Sequence, residues 1–169
     1  MNGRNYLADL DKMQDRYDSG KESEWFAQFG DGYKAVENAV RYEQLLRCGY
    51  SHGQAMTYDE YGWIRTNYSK PSKCRKELVA KTNSARCDML TFQLPNRKWI
   101  AGYELAYSSG GSYCGCSYYD KQFDTERQAK HAELVQIIQV IEKSWEKDPK
   151  VLLPQLKRAA MLCLQMELF

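Results

Sequence analysis

The chain has 169 residues, of which 43% are hydrophobic, and a formal net charge of +2. That length suits one compact domain, or a small helical lobe joined to a mixed one, and the apolar fraction excludes wholesale disorder. No run approaches the ~18 apolar residues of a membrane-spanning helix, and acidic segments on both sides of a basic one argue against a non-specific DNA coat.

An amphipathic helix is expected from about Tyr6 to Tyr17, with Leu7, Leu10, Met13 and Tyr17 on one stripe. Ser19-Gly20 ends it. Glu22 to Phe29 reads as a short apolar helix around Trp25, Phe26 and Phe29, stopped by Gly30-Asp31-Gly32. A stronger helix runs from about Tyr33 to Cys48, burying Val36, Val40 and Leu45, with Gly49 as its C-terminal stop. Next come an aromatic stretch from Met56 to Tyr68, a break at Ser69-Lys70-Pro71-Ser72, and an expected short helix from Lys73 to Lys81. Helix, turn and basic helix is the outline of a helix-turn-helix, whose second helix enters a major groove. The alternative is a solvated basic helix packed through Leu78 and Val79.

From Cys87 the period changes to two. Met89 to Leu94, Lys98 to Tyr107 and Ser112 to Tyr119 read as three strands, joined by turns at Pro95-Asn96 and Ser109-Gly110-Gly111. A long helix follows. Thr125 and Gln128 fit a capping box, and Ala129, Leu134, Ile137, Ile138, Ile141 and Trp145 form its apolar stripe. A last helix begins near Pro154. The expected class is α+β: residues 1–86 form a helical N-terminal lobe with the basic segment. Residues 87–169 form a three-stranded antiparallel meander covered by two C-terminal helices. Trp99, Tyr103 and Leu105 should meet Ile137, Ile138 and Ile141.

Charge is unevenly spread. Residues 65–101 carry 9 basic and 2 acidic side chains, whereas residues 1–64 carry 7 and 11. Arg65, Lys70, Lys73, Arg75, Lys76, Lys81 and Arg86 are therefore the candidate residues for contacting nucleic acid or an acidic partner. The 13 Tyr and 4 Trp suit protein interfaces and base stacking, and equally an ordinary tyrosine-rich core.

No catalytic constellation emerges. His52 and His131 are isolated, and Ser108-Ser109-Gly110-Gly111-Ser112 lacks the Lys and following helix of a phosphate loop. Asp59, Glu60, Asp120 and Asp124 carry the less favoured alternative of a metal-dependent nuclease, although acids are common at loops and helix starts. The six cysteines follow a polar N-terminal stretch without the apolar run of an export signal, so reduced cytosolic thiols in a bacterial host are expected. Cys114-Gly115-Cys116 has no second pair to complete a zinc site, but on a strand its sulfurs would share one face. No metal, no cofactor and no membrane partner are expected.

Two resemblances guide the functional reading. Gln165-Met166-Glu167-Leu168-Phe169 resembles the short peptide by which bacterial DNA-handling proteins bind the replicative sliding clamp. In such peptides the Gln side chain (Gln165) hydrogen-bonds at a pocket rim, and apolar anchors (Met166, Leu168, Phe169) enter the pocket. The alternative is that Leu156, Ala160, Leu164 and Leu168 form one helical stripe capping a core. Trp99-Ile100-Ala101-Gly102-Tyr103, a Gly-rich turn, and Phe123-Asp124-Thr125 leading into a long helix with Ala129 and Ala132 make up the second. Over residues 98–169 this pattern is similar to C-terminal modules of ParB-like proteins of phages and conjugative elements. No partition nuclease-like domain lies upstream, so partition activity does not follow.

These features imply a non-enzymatic phage or mobile-element protein that binds a nucleic-acid machine stoichiometrically. An inhibitor of host defence, such as an anti-CRISPR protein, is the leading expectation, with a nucleic-acid-guided effector nuclease as partner. The alternative is a DNA-binding replication or transcription accessory recruited to the sliding clamp. DNA or RNA is a further expected contact.

Overall fold

The computed structural model describes residues 3–65, 73–145 and 147–165. The chain divides into two compact units, Met1–Tyr68 and Ser69–Phe169. The class is α+β, as the patterning implies.

The first unit is helical: α1 (Gly3–Asp18), α2 (Ser23–Ala27), α3 (Gly32–Arg47) and the single turn α4 (His52–Ala55). Its core is small and aromatic. Ala35, Val36, Ala39, Val40 and Leu45 of α3 are buried, and Trp25 packs edge-on against both Phe26 and Phe29, with Tyr17 beside Phe26 and Tyr42 beside Phe29. Gly49, at φ 87°, closes α3 in the left-handed region expected of a glycine stop, and Tyr50 N–H donates back to Leu45 O. Buried Asn38 ties the following loop to this helix: its amide donates to Phe29 O and Gly62 O and accepts from Ile64 N–H, each at 2.9 Å. Met56 to Arg65 is not helical; it forms a turn closed by a Tyr58–Ile64 bridge.

The second unit is an antiparallel sheet in the order β1-β2-β3-β4, comprising Arg75–Lys81, Ala85–Gln93, Trp99–Tyr107 and Gly110–Cys114. The long helix α5 (Glu126–Lys143), a 3-10 turn (Asp148–Leu152) and α6 (Leu153–Gln165) follow. Side-chain alternation points Cys87 and Met89 of β2, and Tyr103 and Leu105 of β3, at Leu134, Ile137 and Ile141 of α5 and Leu156 of α6. Trp99 and Ile138 pack at the margin of this cluster. The expected meeting of β3 with α5 is therefore present, and each fully buried Leu or Ile there contributes roughly 1.5–3 kcal/mol. Thr125 caps α5, accepting from Gln128 N–H at 3.2 Å, which is one half of the expected capping box.

Three expectations need correction. Lys73 to Lys81 does not form a basic helix, because Arg75–Lys81 is strand β1, paired with β2 from Arg75↔Thr91 to Lys81↔Arg86. The described residues of this stretch accordingly form no helix-turn-helix; pairing with β2 outweighs the local helical preference of Lys and Glu. It also makes the sheet four-stranded and places residues 75–86, assigned from sequence to the helical lobe, in the sheet unit. Gly110 and Gly111 belong to β4, opposite Tyr107 and Ala106, so the turn before it is Ser108-Ser109. Trp145 is 88% exposed, because Ser144 turns extended at the end of α5 and carries the next residue off the buried stripe.

Both sheet edges are guarded. β4 is short, whereas β1 carries charged side chains and an irregular register between Leu78 and Ala80. At the end of β1 the Gln155 side chain stands in for a neighbouring strand, accepting from Lys81 N–H and donating to Lys81 O, both at 3.0 Å.

Candidate functional site

The strand geometry splits the basic candidates between the two faces of the sheet. Lys76 and Arg86 lie on the face away from α5 and converge on buried Asp88. Arg86 holds that carboxylate through two nitrogens, at 2.6 and 2.8 Å, and Lys76 Nζ lies 3.8 Å away. Lys76 also pairs with Glu104. Hydrogen bonding to Glu104 raises the Lys76 pKa, and hydrogen bonding to Asp88 raises that of Arg86. Arg75 points the other way, towards α5, and meets Glu126 at 3.2 Å. Lys73, Lys81 and Arg65 are exposed; Arg65 lies in the helical unit. Lys70 lies outside the described residues. Three of the seven candidates therefore already hold acids, and a phosphate would have to displace them.

On the helix side, β1, α5 and α6 enclose a groove of about 730 Å³. Its floor is apolar, formed by Val79, Leu134, Ala159 and Leu162, and its rim is charged. Lys130 links Glu77 and Glu126, and Glu126 also accepts from Thr91 Oγ1 at 2.8 Å. Burial acts to lower the Lys130 pKa, but the two carboxylates outweigh it and leave the amine raised. Arg127 is the rim's one charged side chain without an ion-pair partner among the described residues.

The last turns of α6 expose apolar side chains, of which Leu162 also lines the groove. Leu156 and Ala160 are buried, but Met161, Leu162 and Leu164 are 56%, 50% and 51% exposed. The stripe proposed to run from Leu156 through Ala160 and Leu164 thus leaves the core one turn before the tail. Gln165 is exposed at the helix end, and Met166, Leu168 and Phe169 lie outside the described residues.

Three of the four acids considered for a metal-dependent nuclease have local partners, and the fourth, Glu60, is exposed. Asp59 Oδ1 accepts from Tyr61 and Trp63 N–H at 2.9 Å, Asp120 Oδ2 accepts from Ser117 N–H at 2.7 Å, and Asp124 pairs with Lys98. Among the described residues no three His, Cys, Asp or Glu side chains are grouped to hold a metal ion. No described helix is long and apolar enough to cross a membrane.

Two features were missed in the sequence. Glu133 faces the sheet from α5, and its Oε1 is buried with no hydrogen-bond partner among the described residues. Burial, then the nearby charge of Asp120, raises its pKa from 4.5 to about 7; burial likewise raises Asp120 from 3.8 to about 6. The signal was legible, since Glu133 stands at four-residue spacing between Ala129 and Ile137 on the buried stripe. The second is a contact between the thiols of Cys74 and Cys116, which no spacing rule would have found. Cys114 and Cys116 do not share a face: Cys114 packs towards the helices, whereas the strand ends there and Cys116 lies on the opposite side.

Compared with known protein families, curated proteins and solved structures, the chain matches none.

Proposed function

We propose that this chain is a non-enzymatic protein of a phage or other mobile element that binds a nucleic-acid machine stoichiometrically. In this reading it inhibits host defence in the manner of anti-CRISPR proteins, with a nucleic-acid-guided effector nuclease as its partner in the bacterial cytoplasm. The observation that carries the binding reading is the exposure of apolar side chains at the end of α6: Met161, Leu162 and Leu164 are half exposed, and Leu162 also lines the groove. Exposed apolar side chains of this size favour a protein partner. The mixed rim of Arg75, Arg127, Lys130, Glu77 and Glu126 suits a protein surface better than a phosphate ladder. The mobile-element attribution rests on the resemblance over residues 98–169.

The exposure of Leu164 also favours a second reading, a DNA-binding accessory recruited to the sliding clamp. It weakens the alternative in which the tail completes a packed helix.

The test uses affinity-tagged full-length chain to capture partners from a bacterial lysate, identified by mass spectrometry. The proposal expects a nuclease complex with the parent, lost when Met161 and Leu162 are both replaced by Asp while the melting temperature is kept. Capture of the clamp instead selects the second reading. Retention of the same complex by the double variant contradicts a role for this surface.

A further inference from the structure

The chain leaving β4 runs across the sheet face that α5 does not cover. Gly102 makes this possible: a Cβ added there would stand 2.2 Å from Cys114 O and 2.9 Å from Cys116 N. The crossing lays Cys116 on β3, with its thiol donating to Ile100 O at 4.0 Å. Cys74 immediately precedes β1. Because Arg75 points towards α5, alternation turns Cys74 to the same uncovered face, where its thiol hydrogen-bonds that of Cys116. Two cysteines 42 positions apart in sequence are thus held sulfur to sulfur by the pairing of β1 with β2 and by the Gly102 crossing.

We propose that Cys74 and Cys116 form a reversible dithiol–disulfide site, oxidised by a small-molecule disulfide of the glutathione class. The two thiols differ in role. Cys74 is half buried and Cys116 is 7% exposed, so an incoming disulfide reaches Cys74 first. Burial raises both thiols, and their shared hydrogen bond then separates them, opposing the rise at Cys74 and adding to it at Cys116. By its greater exposure Cys74 is the attacking sulfur and Cys116 the resolving one.

The chemistry balances. Cys74 loses its proton and attacks oxidised glutathione, forming a mixed disulfide and releasing one glutathione thiolate. Cys116 then loses its proton and attacks Cys74 Sγ, forming the internal disulfide and releasing the second thiolate. The two protons and two electrons leave as two molecules of reduced glutathione. The product ties the residue before β1 to the segment after β4, so the oxidised chain is more resistant to unfolding.

The experiment treats folded full-length chain with oxidised glutathione, blocks remaining thiols with iodoacetamide and maps linked peptides by mass spectrometry. A Cys74–Cys116 link should accumulate, reverse with dithiothreitol and raise the melting temperature. Cys114→Ser should retain the link, and Cys74→Ser, at a half-exposed position, should lose both the link and the temperature rise without unfolding. A stable glutathione adduct on Cys74, a link through Cys114, or no link overturns the proposal. Because partner capture is a separate measurement that does not depend on this pair of thiols, failure here leaves the binding reading standing.

Discussion

Replacing Glu133 with Gln should remove much of the pH dependence of the sheet unit's stability. In the folded chain burial and the neighbouring Asp120 raise this carboxyl from 4.5 to about 7. Below pH ~4.5 both folded and unfolded chains hold the proton, so the group contributes no difference. Between ~4.5 and ~7 the unfolded chain releases it and the folded chain keeps it, so stability falls as pH rises and levels off above ~7. At about 1.36 kcal/mol per pH unit this amounts to roughly 3 kcal/mol, most of it between pH 5 and 8. Asp120, raised from 3.8 to about 6 by burial, adds a further decline with the same sign over a lower window. Cys87, Cys114 and Tyr103 also face this region, but their raised pKa values keep them neutral there. The assay is urea-dependent amide exchange of β2 and β3 at constant ionic strength from pH 5 to 8, which reports this unit by itself. Glu133→Gln should retain only the shallower Asp120 slope. A variant that keeps the full parental slope would refute the placement of this carboxyl in the core.

Gly102→Ala should destabilise the sheet unit by at least ~2 kcal/mol in urea unfolding, because its Cβ would meet the Cys114–Cys116 backbone. A parent-like midpoint would refute the crossing. Asn38→Ala removes a buried amide with three backbone partners and should cost the helical unit roughly 2–3 kcal/mol, read from exchange of the α3 amides. Replacing Lys73, Arg75 and Lys76 with Ala should weaken binding to a nucleic acid or acidic partner, and the parent's binding should fade with salt. Binding indifferent to both changes would remove the basic segment from the account.

The parts of the fold legible in the sequence are those where one period dominates. Ala129, Leu134, Ile137 and Ile141 repeat at helical spacing, and Trp99 to Tyr107 alternates, so α5 and β3 follow directly. Strand β1 was hidden because Arg75-Lys76-Glu77 suits a solvated helix; its strand identity depends on partners distant in sequence, including Glu104 for Lys76 and Lys130 for Glu77. The same pairing changes the candidate site. A basic run read linearly becomes two ion-paired faces, and the surface best suited to a partner moves to α6. Trp145 fits the helical stripe but lies two residues beyond its last helical position, where period alone gives no warning.

The most direct measurement of the central claim is a titration of the purified chain against a fixed amount of guide-RNA-loaded effector nuclease, with target cleavage as readout. The account predicts that cleavage is lost progressively and that inhibition saturates at a fixed whole-number ratio of chain to nuclease, independent of incubation time. Cleavage unaffected at any ratio would contradict it, as would inhibition that deepens with time at sub-stoichiometric chain.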